Sequence, residues 1–165
     1  MTSHSYPSSA PSSVRRDTYR TAVQVAALVT GIVFLLVGIA GFIPGVTENF
    51  DEIEFAGHES DAELLGVFEV SVLHNIVHLA FGVAGLAAAA RYVASRTYLI
   101  GGGLIYLALW VYGLVIDHDE DANFVPLNDA DNWLHLVLGV GMVALGLLLT
   151  DRYRNRTERS VDGVA

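Results

Sequence analysis

The chain contains no cysteine and no lysine. Without cysteine there is no disulfide, no thiolate metal site and no cysteine nucleophile, and the redox compartment cannot be read from thiols. Without lysine, all nine positive charges fall to arginine, which is a compositional bias and not yet a function. Charge itself is scarce: 16% of residues are Asp, Glu, Lys or Arg, against roughly 25% in an ordinary soluble domain. Glycine-rich phosphate loops, nucleophile elbows and zinc-protease helices are all missing, so the chemistries those motifs carry have no foothold. What fills the space is apolar. Hydrophobic residues make up 53% of the 165 positions, a balance that points to the bilayer.

Read in order, residues 1–21 are rich in Ser, Thr and Pro without apolar periodicity, which predicts a disordered tail closed by Arg15, Arg16 and Arg20. From Ala22 to Ile43 no residue is charged. A stretch of that length, at about 1.5 Å per residue, crosses a hydrocarbon core about 30 Å thick. It is also too long for the apolar core of a signal peptide. Pro44-Gly45 ends this first span, and an acidic loop without arginine follows. Further apolar runs predict spans over 70–90, 98–116 and 133–150, with Glu69 at the interface and a basic tail over 151–165.

The arginines divide the chain by side. They occupy the N-terminal tail, the turn holding Arg91 and Arg96, and the C-terminal tail, whereas the loops after the first and third spans hold none. Positive residues mark cytoplasmic loops when the loops are short. Four helices with both termini in the cytoplasm satisfy that rule throughout. The sequon Asn155-Arg156-Thr157 then faces the cytoplasm, where it is not glycosylated.

A shift of 57 residues lays His74-Asn75-Ile76-Val77-His78-Leu79 on Asp131-Asn132-Trp133-Leu134-His135-Leu136, and continues to Gly82 with Gly139 and Val83 with Val140. A shift of 72 pairs Gly31-Ile32-Val33-Phe34-Leu35 with Gly103-Leu104-Ile105-Tyr106-Leu107, and Gly41 with Gly113. The expected architecture is therefore all-α, a membrane four-helix bundle made of two repeated transmembrane hairpins. A unit repeated in one orientation implies a pseudo-two-fold axis along the membrane normal. Chance likeness between Leu-, Gly- and Val-rich helices is the competing explanation, and it weighs more on helices 1 and 3.

The polar residues inside these spans are few and come in the repeated set. His74 and His78 are one helical turn apart and share a face. The repeat offers Asp131 and His135 at the same spacing, with Asn75 and Asn132 beside them. If the faces meet, His74, His78, His135 and Asp131 form a ligand set suited to a transition metal, and His78 with His135 could hold a haem iron from both sides. The plainer reading is that a polar side chain in hydrocarbon turns inward and hydrogen-bonds across helices, as Asn and His commonly do. Asp131 can also cap the fourth helix. Glycines such as Gly38, Gly41, Gly82, Gly85, Gly139 and Gly146 suit close helix packing. Trp110, Tyr112 and Trp133 read as interfacial anchors. The acidic outer loops could attract cations, but a solvated surface is the simpler account.

At Asn75-x-x-His78-Leu79-x-x-Gly82-x-x-Gly85-Leu86 with Arg91 following, and at Leu127-Asn128-x-Ala130-Asp131-Asn132-Trp133-Leu134-His135-Leu136, the chain resembles a family of small four-helix membrane proteins. That family is classed as a domain of unknown function and occurs in high-GC bacteria and halophilic archaea. The resemblance covers about residues 22–150 and implies an integral membrane protein without an established activity, so it carries over no catalytic residues. The expectation is a non-enzymatic, multi-pass plasma-membrane protein whose Asn/His pairs hold the bundle. The alternatives are a metal- or haem-binding redox protein using His78 and His135, and a small channel or transporter subunit. Expected partners are the lipid bilayer and a second copy or another membrane protein; nucleic acid is not among them.

Overall fold

The architecture rests on a computed structural model that describes residues 20–57, 59–116 and 127–149. The tail expected over 1–21, apart from its last two residues, the basic tail with its Asn155 sequon and the acidic loop from Asp117 to Pro126 lie outside the described residues. Among those described, the chain forms four α-helices: α1 (Ala22–Ala40), α2 (Val72–Ala88), α3 (Tyr92–Val115) and α4 (Asp129–Leu148). Between α1 and α2 lies a small antiparallel sheet of two-residue strands, β1 (Thr47–Glu48), β2 (Glu63–Leu64) and β3 (Phe68–Glu69), in the order β1-β2-β3.

Helices α1, α2 and α4 begin where a side chain can take up backbone N–H groups that have no partner within the helix. Gln24 in the first turn of α1 accepts from the backbone N and Oγ1 of Thr21, at 3.0 and 2.9 Å. Its amide nitrogen then donates to the carbonyl of Ala89 at 3.1 Å, tying the start of α1 to the end of α2. Ser71 caps α2 by accepting from His74 N. Asn128 accepts from Asp131 N at 3.0 Å, and Asp131 Oδ2 accepts in return from Asn128 N at 3.2 Å, a reciprocal capping box at α4.

Two helices start earlier than the apolar runs do. Helix α3 begins at Tyr92, six residues before the expected span, because Arg91 and Arg96 punctuate the hydropathy without breaking a helix. The tight turn into it is held by buried Ser95, whose hydroxyl meets the carbonyls of Ala88 at 2.9 Å and Arg91 at 3.0 Å. Helix α4 begins at Asp129, because Asn128 and Asp131 can close its first turn outside the apolar run.

Helices α1, α3 and α4 are each long and apolar enough to cross a membrane; α2, with 17 residues, is shorter. Large apolar side chains such as Leu36, Val83, Leu114 and Val137 lie exposed on their outer faces. In lipid that exposure carries no penalty, and helix association rests on close packing and hydrogen bonds. The close packing is concentrated in two pairs, α1 with α2 and α3 with α4. A Cβ placed on Gly31 would stand 2.9 Å from the Gly82 carbonyl oxygen, and one on Gly103 would stand 2.8 Å from that of Gly139. Backbones approach this closely only where both sides lack a side chain.

The acidic loop is itself folded. Ala62, Leu64 and Val70 are buried and pack with Val37, Ala40, Val46, Ile53 and Phe68, so the sheet sits as a cover on one end of α1. Ser60 donates to the Val70 carbonyl at 2.6 Å. The backbone N–H groups of Val72 and Leu73, unpartnered within α2, donate to the carbonyls of Glu54 and Phe55. The hairpin between β2 and β3 turns through Leu65 and Gly66 at positive φ, 58° and 65°.

Candidate functional site

The six polar positions singled out in the sequence, His74, Asn75, His78, Asp131, Asn132 and His135, are all buried, on α2 and α4. They divide by task. The asparagines face glycines near the ends of the preceding helices, Gly41 at the C-cap of α1 and Gly113 in the last turn of α3. Asn75 Nδ2 donates to the Gly41 carbonyl at 2.9 Å, and its Oδ1 lies where a Cβ of Gly41 would be. Asn132 meets Gly113 in the same way, its Oδ1 occupying the space of the missing side chain. Gly41 and Gly113 are partners under the shift of 72, as Asn75 and Asn132 are under 57.

The histidines meet aromatic rings and one another. The His74 and His78 rings stand edge to face, 4.5 Å between centroids. Phe34 lies 5.6 Å from His78, and Tyr106 lies 5.2 Å from His135. Phe34 and Tyr106, partners under the shift of 72, stack on each other at 5.5 Å with 16° between their planes. The contacts therefore recur under the same shifts as the residues. Phe34 and Tyr106 carried no polar signal in the sequence; their alignment under the shift was the available clue to their shared place.

Two cavities flank the histidines. One, of about 250 Å³, is lined by α2 and α3 residues, among them Val77, Ile105 and Leu109, and by His74, His78 and His135. The other, of about 200 Å³, lies under the sheet, with Leu64, Phe68 and Val70 above and the same three histidines with Asp131 at its wall. The Nδ1 atoms of His74, His78 and His135 are buried and, among the described residues, have no hydrogen-bond partner. Neutral imidazole offers one donor and one acceptor, so each ring retains unused hydrogen-bonding capacity.

Asp131 is held differently from the histidines. Its Oδ2 accepts from Asn128 N and from Glu69 N at 3.0 Å, and Asn128 Nδ2 donates to the Val67 carbonyl at 2.9 Å. One carboxylate thus caps α4 and fastens β3 to it. Among the described residues no group of three or more His, Cys, Asp or Glu side chains is arranged to hold a metal ion.

The family model for a domain of unknown function (DUF4383) matches residues 24–148. The chain belongs to this family. No curated protein and no solved structure matches it. The matched stretch runs from the first turn of α1 to the end of α4, so the asparagine–glycine contacts, the sheet and the histidine cavities all lie inside the DUF4383 domain.

Proposed function

We propose that this DUF4383 protein is a non-enzymatic, multi-pass protein of the plasma membrane that binds a small lipid-soluble molecule between its helices. The observation that carries this reading is a cavity of about 250 Å³ between α2 and α3 whose wall is almost wholly apolar, with His74, His78 and His135 in its lining. Asn75 and Asn132 supply the latches that hold each helix pair, a task supported by the Asn75–Gly41 hydrogen bond and the matching Asn132–Gly113 contact. The histidines are thereby freed from the latching role.

Orientation follows from the arginines. With all nine in the two tails, the α2–α3 turn and the start of α3, both termini and that turn face the cytoplasm, and the sheet with its acids faces outward. Helix α2 is short for a span, at about 25 Å, and the sheet residues packed on the bundle complete the apolar thickness on that side.

The test is an organic extract of the protein purified from its native membrane, analysed by mass spectrometry beside His78→Leu and His135→Leu. The wild-type protein is expected to carry a near-stoichiometric lipid-soluble compound that both variants lose. Equal extracts from folded wild type and variants would overturn the binding reading.

A further inference from the structure

The two cavities beside the histidines are counterparts under the internal repeat. The shift of 57 carries Val77 and His78, which line the first cavity, onto Leu134 and His135, which line the second, and the shift of 72 carries Val37 of the second onto Leu109 of the first. One cavity therefore lies at the α2–α3 seam and its twin at the α4–α1 seam, where helices touch far less than they do within either pair. Their surroundings differ. The connection between α1 and α2 is longer than that between α3 and α4 and folds into the sheet, and Leu64, Leu65 and Phe68 lie against the α4–α1 cavity. No residue of the sheet lines the α2–α3 cavity.

The cavity without that cover opens to lipid. Val77 and Ile105 line it and are also exposed on the outer faces of their helices, at 42% and 50%, so an occupant enters sideways from the hydrocarbon. The wall is almost wholly apolar, and the Nδ1 atoms of its histidines are buried behind the surface they present. What fits there is held by apolar burial and needs no hydrogen bond. From Ser71 to His78 the wall runs about 10 Å along α2, so the cavity is drawn out along the seam. A cavity of about 150 Å³ takes up the six carbons of benzene, and in proportion about 250 Å³ has room for about ten. That is a length of hydrocarbon chain.

Charge restricts the head to which such a chain is joined. Ser71 caps α2 at the end where the sheet lies, and the first backbone N–H groups of that helix donate to the carbonyls of Glu54 and Phe55. Asp51, Glu52 and Glu54 are exposed on that side, and Asp117 through Asp121 follow α3 in the sequence. The described arginines, Arg20, Arg91 and Arg96, stand at the other end of the helices. An anionic head would meet acids and no arginine. We infer that the α2–α3 cavity holds one acyl chain of an outer-leaflet phospholipid whose head carries no net charge, a reading that rests on the proposed lipid-soluble ligand and on the proposed orientation.

The experiment uses the full chain, stripped of endogenous lipid and held in nanodiscs of phosphatidylglycerol. Phosphatidylcholine carrying a diazirine on one acyl chain is titrated in, and after irradiation the labelled residues are mapped by mass spectrometry. Labelling at Val77, Ile105 and Leu109 is expected to saturate at low mole fraction, while labelling at Leu36 and Val137, exposed elsewhere on the bundle, rises in proportion to the probe. With the lipids exchanged, diazirine-labelled phosphatidylglycerol in phosphatidylcholine should label all five positions in proportion. Each methylene displaced from an apolar site costs about fourfold in affinity, so Ile105→Trp, bulky at the mouth, should weaken the saturable component about tenfold. Its unchanged labelling at Leu36 and Val137 guards against loss of fold. Proportional labelling at the seam, as a plain annulus of lipid gives, would overturn the inference, as would a saturable component that Ile105→Trp leaves intact. Equal saturation by phosphatidylglycerol would overturn the assignment of an uncharged head. If the native extract holds another compound that the histidine variants lose, while the seam labels only in proportion, the acyl chain fails as the occupant and the lipid-soluble ligand stands. An empty extract together with proportional labelling sinks both.

Discussion

Asn75 reaches 34 residues back along the chain to donate from Nδ2 to the Gly41 carbonyl at 2.9 Å, and its Oδ1 fills the space that a side chain at 41 would need. The two residues are complementary in a strict sense. The glycine leaves room for the amide, and the amide takes up a carbonyl at the end of α1 that has no helical partner.

Glycine substitutions should therefore separate cleanly. Gly41→Ala and Gly113→Ala put a Cβ onto the Asn75 and Asn132 amides and should destabilise the bundle by about 1–3 kcal/mol each, as overpacking does. Gly101→Ala and Gly141→Ala meet nothing within 4 Å and should be neutral or stabilise by up to about 1 kcal/mol, as an added methyl in a helix interior does. Thermal unfolding in detergent, followed by circular dichroism, checks both pairs. Equal effects at the four positions would mean that the amides do not fill these spaces.

Removing the amide itself should cost less. Asn75→Ala loses one interhelical hydrogen bond inside an apolar bundle, which is worth about 0.6 kcal/mol on average and up to about 1.7. In a double-mutant cycle with Gly41→Ala, the alanine at 41 should do less harm once Asn75 is gone. Strict additivity of the two changes would argue against the latch.

Asp131→Ala takes the acceptor from Asn128 N and Glu69 N together. Loss of a helix cap of this kind costs about 0.5–2 kcal/mol, and the second hydrogen bond should loosen β3 from α4. Hydrogen exchange should quicken at residues 67–70 while the middle of α4 stays protected. Unchanged exchange there would show that Asp131 does not hold the sheet.

Ser95 makes the turn between α2 and α3 through the carbonyls of Ala88 and Arg91. Ser95→Ala removes the hydroxyl that bridges the Ala88 and Arg91 carbonyls in a buried turn and should lower stability by about 1 kcal/mol. Ser95→Val, which adds bulk at a fully buried site, should cost more. The same unfolding measurement ranks the two.

The orientation has a direct check because the chain has no cysteine of its own. Glu54→Cys, on the exposed sheet loop, should react with an impermeant maleimide in intact cells, and Arg96→Cys, exposed near the start of α3, only after permeabilisation. The opposite pattern would place the sheet and its acids inside.

The helical, membrane-suited class is legible in residue order alone, because long charge-free runs at helical rise have few other stable forms, and so is the burial of the polar residues within them. The two shifts could be read there as well, since residues such as Asn75 and Asn132 or Phe34 and Tyr106 stand in matching registers. Tertiary structure decided how the polar set divides. Whether Asn75 meets a glycine or a histidine, and whether Asp131 faces a ligand or caps a helix, depends on which backbones approach one another across more than 30 residues of chain. The sheet over 47–69 was equally hidden, because strands of two residues leave no period to detect. The cavities were hidden too. A cavity exists only where packed helices fail to fill the space between them, and in α2 and α3 the side chains that leave it open are ordinary Val, Ile and Leu.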